Sequence, residues 1–214
     1  MEIAIIGAGD VGGTLGRLWA KKGHQIMFGV RNLQSHNVLN LIRSIDSGVK
    51  VGTIGEAASF ADVILLAIPW MAVEETIKSA GDLSGKILID PTNPIKADLT
   101  GLMIESSTSA AEEIAKWAKD SKVVKAFNSI GAKTLDNLQF GLVRADAFIC
   151  GDDFKSKTVV KKLATEIGFD TVDAGPLINA RVLEYMALLW IHLAYNQQMG
   201  PNIAFKLLTR PGGM

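Results

Sequence analysis

The residues that first suggest chemistry are the glycines of Gly7-Ala8-Gly9-Asp10-Val11-Gly12. They follow an apolar run, Ile3 to Ile6, and open an amphipathic stretch from Val11 to Lys22. A Gly-x-Gly-x-x-Gly at a strand-to-helix turn is the context in which this spacing binds a dinucleotide. The first glycine permits the tight turn, the second lets a diphosphate approach the backbone, and the third lets helix and strand pack closely. Unsatisfied N–H groups at the helix start then face the phosphates. A glycine-rich turn without a ligand is the alternative, and the strand–turn–helix setting favours the dinucleotide. Gly7, Ala8, Gly9, Asp10, Val11 and Gly12 are therefore expected to hold it.

The end of the second strand selects the cofactor. Enzymes that use NAD place an acid about 20 residues beyond the glycines to accept from the ribose hydroxyls. Here Gly29-Val30-Arg31-Asn32 occupies that stretch, with no acid. Arg31 can pair with a 2′-phosphate and stack on adenine, and Asn32 can donate to the same phosphate. The alternative for Arg31 is a solvated surface cation. Val30, Arg31 and Asn32 thus point to NADP rather than NAD.

Several other chemistries find no residues to carry them. Cys150 is the lone cysteine, and His24, His36 and His192 lack metal-ligand spacing, so no metal site is expected. Lys+Arg and Asp+Glu both total 22, a neutral balance that argues against nucleic acid as a partner. No signal peptide is visible, and the greasy stretch Met186 to Ala194 is too short to span a bilayer of about 20 apolar residues. A cytoplasmic protein without a membrane partner is expected.

The elements that must position these residues alternate in type. Apolar runs at Ile3–Ile6, Gln25–Gly29, Val49–Gly52, Val63–Ala67, Lys86–Ile89 and Val123–Ala126 read as strands. Helices are expected over 11–22, 37–45, 71–80 and 109–119. Short strands at 147–150 and 171–172 flank a helix over 154–167; further helices are expected over 179–197 and 203–208, separated by Gly200-Pro201. Strands that read as unbroken Val/Ile/Leu runs are covered on both faces. The fold class is α/β, a Rossmann-type doubly wound parallel sheet with a small, mostly helical C-terminal domain. Its expected parts are an NADP-binding domain over residues 1–140 and, over 141–214, a domain that covers the cleft. The apolar helix near Met186–Tyr195 suggests a homodimer.

Beyond the glycine loop and Gly29-Val30-Arg31, the matching stretches are Ile68-Pro69-Trp70, Ser106 to Ala111, and Cys150-Gly151-Asp152-Asp153. Asp173-Ala174-Gly175-Pro176-Leu177 with Arg181 and Glu184, and Gly200 to Leu207, match as well. Over nearly its whole length the chain resembles the NADPH-dependent reductases of the deazaflavin coenzyme F420. That resemblance implies a Rossmann domain plus a small C-terminal domain, with Ile68, Pro69 and Trp70 beside the nicotinamide. Asp90-Pro91-Thr92-Asn93-Pro94 and Phe127-Asn128-Ser129-Ile130-Gly131 follow the next strands and should line the same crevice. The chain departs from the family where Ser35 replaces a second basic residue and where Asn128-Ser129-Ile130-Gly131 replaces a His-Thr-Ile-Pro segment. Asn93-Pro94 differs as well.

No catalytic triad or carboxylate pair occurs at the crevice positions. Direct hydride transfer needs two rings held face to face, because the cofactors carry the chemistry. Orientation alone supplies up to ~7–11 kcal/mol of barrier lowering. No catalytic proton-transfer residue is therefore assigned, and the acceptor is expected to be a deazaflavin or flavin-like small molecule. Asn93 and Asn128 are the polar groups placed to hydrogen-bond the carboxamide or the acceptor, or else turn residues bonding their own backbone. Trp70 is either nicotinamide wall or core. Reduction of a small imine or carbonyl is an alternative that needs a proton donor such as His192, Tyr185 or Tyr195. A non-enzymatic NADP(H)-binding redox sensor is another.

Overall fold

The computed structural model describes residues 1–35, 38 and 49–210. The expected helix over 37–45 lies outside the described residues apart from Val38.

Six parallel strands form the first part of the sheet: β1 (Glu2–Ile6), β2 (Gln25–Gly29), β3 (Val49–Gly52), β4 (Val63–Leu66), β5 (Ile87–Asp90) and β6 (Lys122–Lys125). Their spatial order is β3-β2-β1-β4-β5-β6, so chain direction of travel reverses beside β1, where α/β sheets of this kind take ligands. A small hairpin, β7 (Gln139–Phe140) with β8 (Val143–Arg144), precedes β9 (Asp146–Gly151) and β10 (Asp170–Asp173). β9 pairs antiparallel with β6, and β10 parallel with β9, so the C-terminal part extends the same sheet to eight strands.

Both faces are covered, as the apolar strands require. α1 (Asp10–Lys21) and α5 (Phe154–Glu166) lie on one side, where Leu15, Trp19, Phe28, Val124, Phe127, Leu163 and Phe169 form a continuous core. On the other side are α2 (Ile54–Phe60), α3 (Val73–Ser79), α4 (Ala110–Trp117) and α6 (Ala180–Ile191), burying Ala57, Ile64, Ile77, Leu88, Ile114 and Leu183. A 3-10 turn, Trp70–Ala72, leads into α3, and α6 continues as a wider π turn over His192–Asn196.

The β7–β8 hairpin has no counterpart among the expected elements, and two further departures have a clear physical reason. α2 has no counterpart in the apolar pattern; it is started by a capping box, in which Thr53 accepts from the Glu56 amide while the Glu56 carboxylate accepts from the Thr53 amide. The expected helix over 203–208 does not form. Its backbone is taken by other elements: the Ile203 carbonyl accepts from Trp190 Nε1 at 2.8 Å, and the Phe205 carbonyl accepts from the Asp146 amide at 3.1 Å. The Leu207 amide donates to Asp146 at 2.6 Å. Groups bonded outward in this way are not available for a helical ladder, so tertiary pairing overrides local propensity.

By length and composition the helical run Leu177–Asn196 is apolar enough to cross a bilayer. Its Leu183, Glu184, Ala187, Trp190 and Ala194 are instead buried within the protein.

Candidate dinucleotide site

The ends of β1 and β4 meet at the glycine loop. Gly7 has φ 107°, and a Cβ there would lie 2.2 Å from the Ala67 carbonyl oxygen. A Cβ at Gly12 would lie 2.4 Å from the Gly7 carbonyl oxygen, so this glycine is required for α1 to seat against the loop. Gly9 is different. Its φ is −82°, and a Cβ there would meet nothing within 4 Å. The protein itself places no demand on Gly9, as expected where a ligand supplies the close approach. No side chain caps α1, and its first ladder bond is Gly13 N–H to the Gly9 carbonyl at 2.7 Å. The amides of Asp10, Val11 and Gly12 thus have no partner within the helix and carry the positive end of its dipole.

A cavity of about 390 Å³ begins at this loop, lined in part by Gly7, Ala8, Gly9, Ile68 and Pro69. It extends past Val30, Arg31 and Asn32 and adjoins a second hollow of about 460 Å³, with which it shares Val30, Arg31, Ile54 and Thr76. No acid lines the first cavity among the described residues, and Arg31 and Asn32 are exposed. The Asn32 Oδ1 accepts from the Gln34 amide at 2.9 Å, a turn that leaves its Nδ2 as a donor. The mouth of the trough therefore presents a guanidinium and an amide donor, a pair that suits a phosphate rather than a ribose hydroxyl.

The remaining expected residues divide. Gly12 sits beneath the loop, Val11 is half-buried and Asp10 is exposed in the first turn of α1. Trp70 stacks on Trp117 of α4, with ring centroids 5.3 Å apart, and does not line the cavity. Asn93 and Asn128 do not line it either, but they are joined to one another. Asn93 Nδ2 donates to the Asn128 carbonyl at 2.8 Å, and Asn128 Nδ2 donates to Asn93 Oδ1 at 3.0 Å and to the Leu183 carbonyl at 2.8 Å. Asn128 is buried, and its Oδ1 has no hydrogen-bond partner. A buried acceptor without a donor is costly, about 1–3 kcal/mol, unless a ligand or water supplies one. The sheet register places Asp90 beside Lys125, with Leu65 beside Ile89 one step earlier. Ile68-Pro69, Thr92-Asn93 and Phe127-Asn128 therefore leave the same carboxyl edge.

Beneath that edge lies a charged cluster that the sequence reading did not identify. Lys125, Asp90 and Glu184 are fully buried. Lys125 Nζ donates to Asp90 at 2.8 Å, to Glu184 at 2.7 Å and to the Thr92 carbonyl at 2.5 Å. Burial pulls the Lys125 ammonium down, but the Asp90 and Glu184 carboxylates outweigh it and raise its pKa. Burial pushes the Glu184 carboxyl up, against the pull of Lys125. The Glu184 oxygens also accept from the amides of Ala110 and Ala111, the start of α4. The available signal was a lysine closing the apolar strand Val123-Val124-Lys125.

Other candidates fall away from the cleft. His192, Tyr185 and Tyr195 line neither cavity, and both tyrosines are exposed. Cys150 is buried in the core, and burial pushes its thiol up to about 12. His24 bonds Glu166 at 2.7 Å beside the chain start. No group of three or more potential metal ligands occurs among the described residues.

Comparison with known proteins places this geometry. Residues 2–94 match the family model for coenzyme F420-dependent NADP oxidoreductases. The F420-dependent NADP reductase of Methanothermobacter marburgensis is 34% identical over 207 residues, covering 90% of this chain and 92% of that protein. Its counterpart in Methanocaldococcus jannaschii is 31% identical over 206 residues, covering 90% and 92%. Among solved structures, one described as an F420-dependent NADP reductase from Arthrobacter sp. FB24 superposes with a TM-score of 0.87 at 25% identity, covering 97% of this chain and 99% of that one. With more than 30% identity across 90% of this chain and 92% of both relatives, the chain belongs to the F420-dependent NADP oxidoreductase family.

Proposed function

We propose that the chain is an NADP-dependent oxidoreductase that exchanges hydride directly between the nicotinamide and coenzyme F420. The observation that carries this reading is the continuous trough from the glycine loop to Arg31 and Asn32, with Ile68 and Pro69 along it and no lining acid among the described residues. When bound, NADPH supplies hydride, which a deazaflavin ring takes up together with one proton from solvent. The chain's own groups bind and orient. The α1 amides and loop hold the diphosphate, Arg31 and Asn32 hold the 2′-phosphate, and Ile68 and Pro69 border the nicotinamide half. Asn128 Oδ1 accepts from an amide donor at the carboxyl edge, with Asn93 fixing its rotamer. Residues 1–140 carry the cofactor, and 141–214 close the hydride-transfer end through Leu183 and Glu184.

We further place the protein in the cytoplasm as a homodimer. The test is anaerobic mixing of the purified protein with NADPH and F420, following loss of F420 absorbance, with NADH in parallel. Reduction with NADPH and little with NADH is expected. Tight NADPH binding without any F420 reduction would overturn the acceptor assignment.

A further inference from the structure

Lys125 does more than close a strand, and stability gives little reason to keep it. A buried cluster of one cation and two carboxylates is often no more stable than apolar side chains of the same volume. Geometry supplies a reason. One of the three acceptors of Lys125 Nζ is the Thr92 carbonyl, the oxygen of the peptide unit that leads into Asn93. Another is Glu184, whose neighbour Leu183 gives its carbonyl to Asn128. The turn after β5 and the helix α6 are thus tied at two adjacent levels, by charge at Lys125 and by amides at Asn128. The Phe127 backbone adds an independent mark of constraint. It has φ 62°, a left-handed conformation rare for a bulky residue, and its ring is locked between Trp19 at 6.0 Å and Phe169 at 5.8 Å. Strain held by surrounding structure clusters where side chains must be aimed, and here the aimed residue is Asn128 with its unpartnered Oδ1.

We infer that Lys125, acting with Asp90 and Glu184, is a positioning residue that sets the Asn93–Asn128 pair against the nicotinamide end of the cofactor. The inference rests on the reading of the carboxyl edge as the hydride-transfer end, and it assigns Lys125 no contact with the reacting atoms. The cluster is fully buried, and its surplus negative charge is met by the α4 amides and by the Thr92 amide and hydroxyl on Asp90.

The test compares Lys125→Met with the double variant Lys125→Met/Asp90→Asn, which removes one charge of each sign and leaves Glu184 on the α4 amides. The single variant is expected to unfold at lower temperature and the double variant to recover much of that loss. Adenosine 2′,5′-bisphosphate, which lacks the nicotinamide, should bind the double variant within about twofold of the parent. Bound NADPH should show a changed nicotinamide fluorescence, and kcat with F420 should fall roughly 10²-fold, the effect of an ångström-scale misplacement. A double variant that folds and matches the parent in both NADPH fluorescence and turnover would overturn the inference. If the parent itself fails to reduce F420, the acceptor assignment fails, and the fluorescence comparison still decides the role of Lys125.

Discussion

Gly9 and Gly12 belong to one motif, yet different partners demand them. A Cβ at Gly12 would strike the Gly7 carbonyl, whereas one at Gly9 would meet only open space. Gly12→Ala is therefore expected to destabilise the fold by about 1–3 kcal/mol, the usual range for overpacking. Gly9→Ala should leave the melting temperature unchanged or slightly raised, since its φ suits alanine. NADPH affinity should nevertheless drop by roughly tenfold or more, about 1.4 kcal/mol per decade. Thermal melts and fluorescence titration of both variants check the pair; a Gly9→Ala protein with parental affinity would place the diphosphate elsewhere. At the other end, Arg31→Ala should narrow the preference for NADPH over NADH by about tenfold, a figure kept modest because the guanidinium is exposed. An unchanged ratio would show that Arg31 only decorates the surface. Both ends of this site were legible because local spacing encodes them. The Lys125 cluster was not, because Asp90, Lys125 and Glu184 lie in three distant stretches that only the folded sheet brings together. Phe127 likewise gives no sign of its left-handed backbone, which is ordinarily signalled by glycine or asparagine.

Elements were readable in proportion to how far their own residues decide them. β2 and β3 coincide with the expected runs Gln25–Gly29 and Val49–Gly52, and α5 starts at the residue expected, behind the Asp153 cap. α2 was missed because seven residues with two buried alanines make a weak apolar stripe, although Thr53-x-x-Glu56 announces its start. The segment over 203–208 was misread because its hydrogen bonds go to β9 and Trp190. One contact between elements carries its own prediction. Arg181 of α6 donates to both oxygens of Glu112 in α4, at 2.8 and 2.6 Å. The Arg181 hydrogen bonds hold the Glu112 carboxyl below its usual range. Its proton is therefore bound more weakly in the folded chain than in the unfolded one. The stabilisation is present above the unfolded carboxyl value and is lost as pH falls through the folded one. Glu112→Gln should lower stability by about 1 kcal/mol at neutral pH. It should also flatten the loss of stability between about pH 6 and about pH 3. Urea unfolding across that range provides the measurement, and parallel curves for parent and variant would show that the pair contributes nothing to acid sensitivity.

At the scale of the whole molecule, α6 presents two unlike faces. Leu183, Glu184, Ala187 and Trp190 turn inward, while Val182, Tyr185 and Leu189 form an outward stripe at helical spacing. Val182 is 66% exposed and Leu189 51%. An outward apolar stripe of this kind invites cover by another surface. A second copy, meeting it through a two-fold axis, would bury the same stripe from both sides. The inward face is already committed to the Lys125 cluster, so such an interface would brace α6 from behind the crevice without entering it. Val182→Glu with Leu189→Glu should therefore convert a dimer to a monomer in sedimentation velocity at micromolar concentration. NADPH binding at the glycine loop should persist within about twofold, because the altered side chains are remote from the trough. Turnover is the more informative readout: a monomer that binds NADPH normally but turns over more slowly would show that pairing stiffens the helix holding Asn128. A parent chain that sediments as a monomer would remove the interface, and the apolar stripe would then need a different partner.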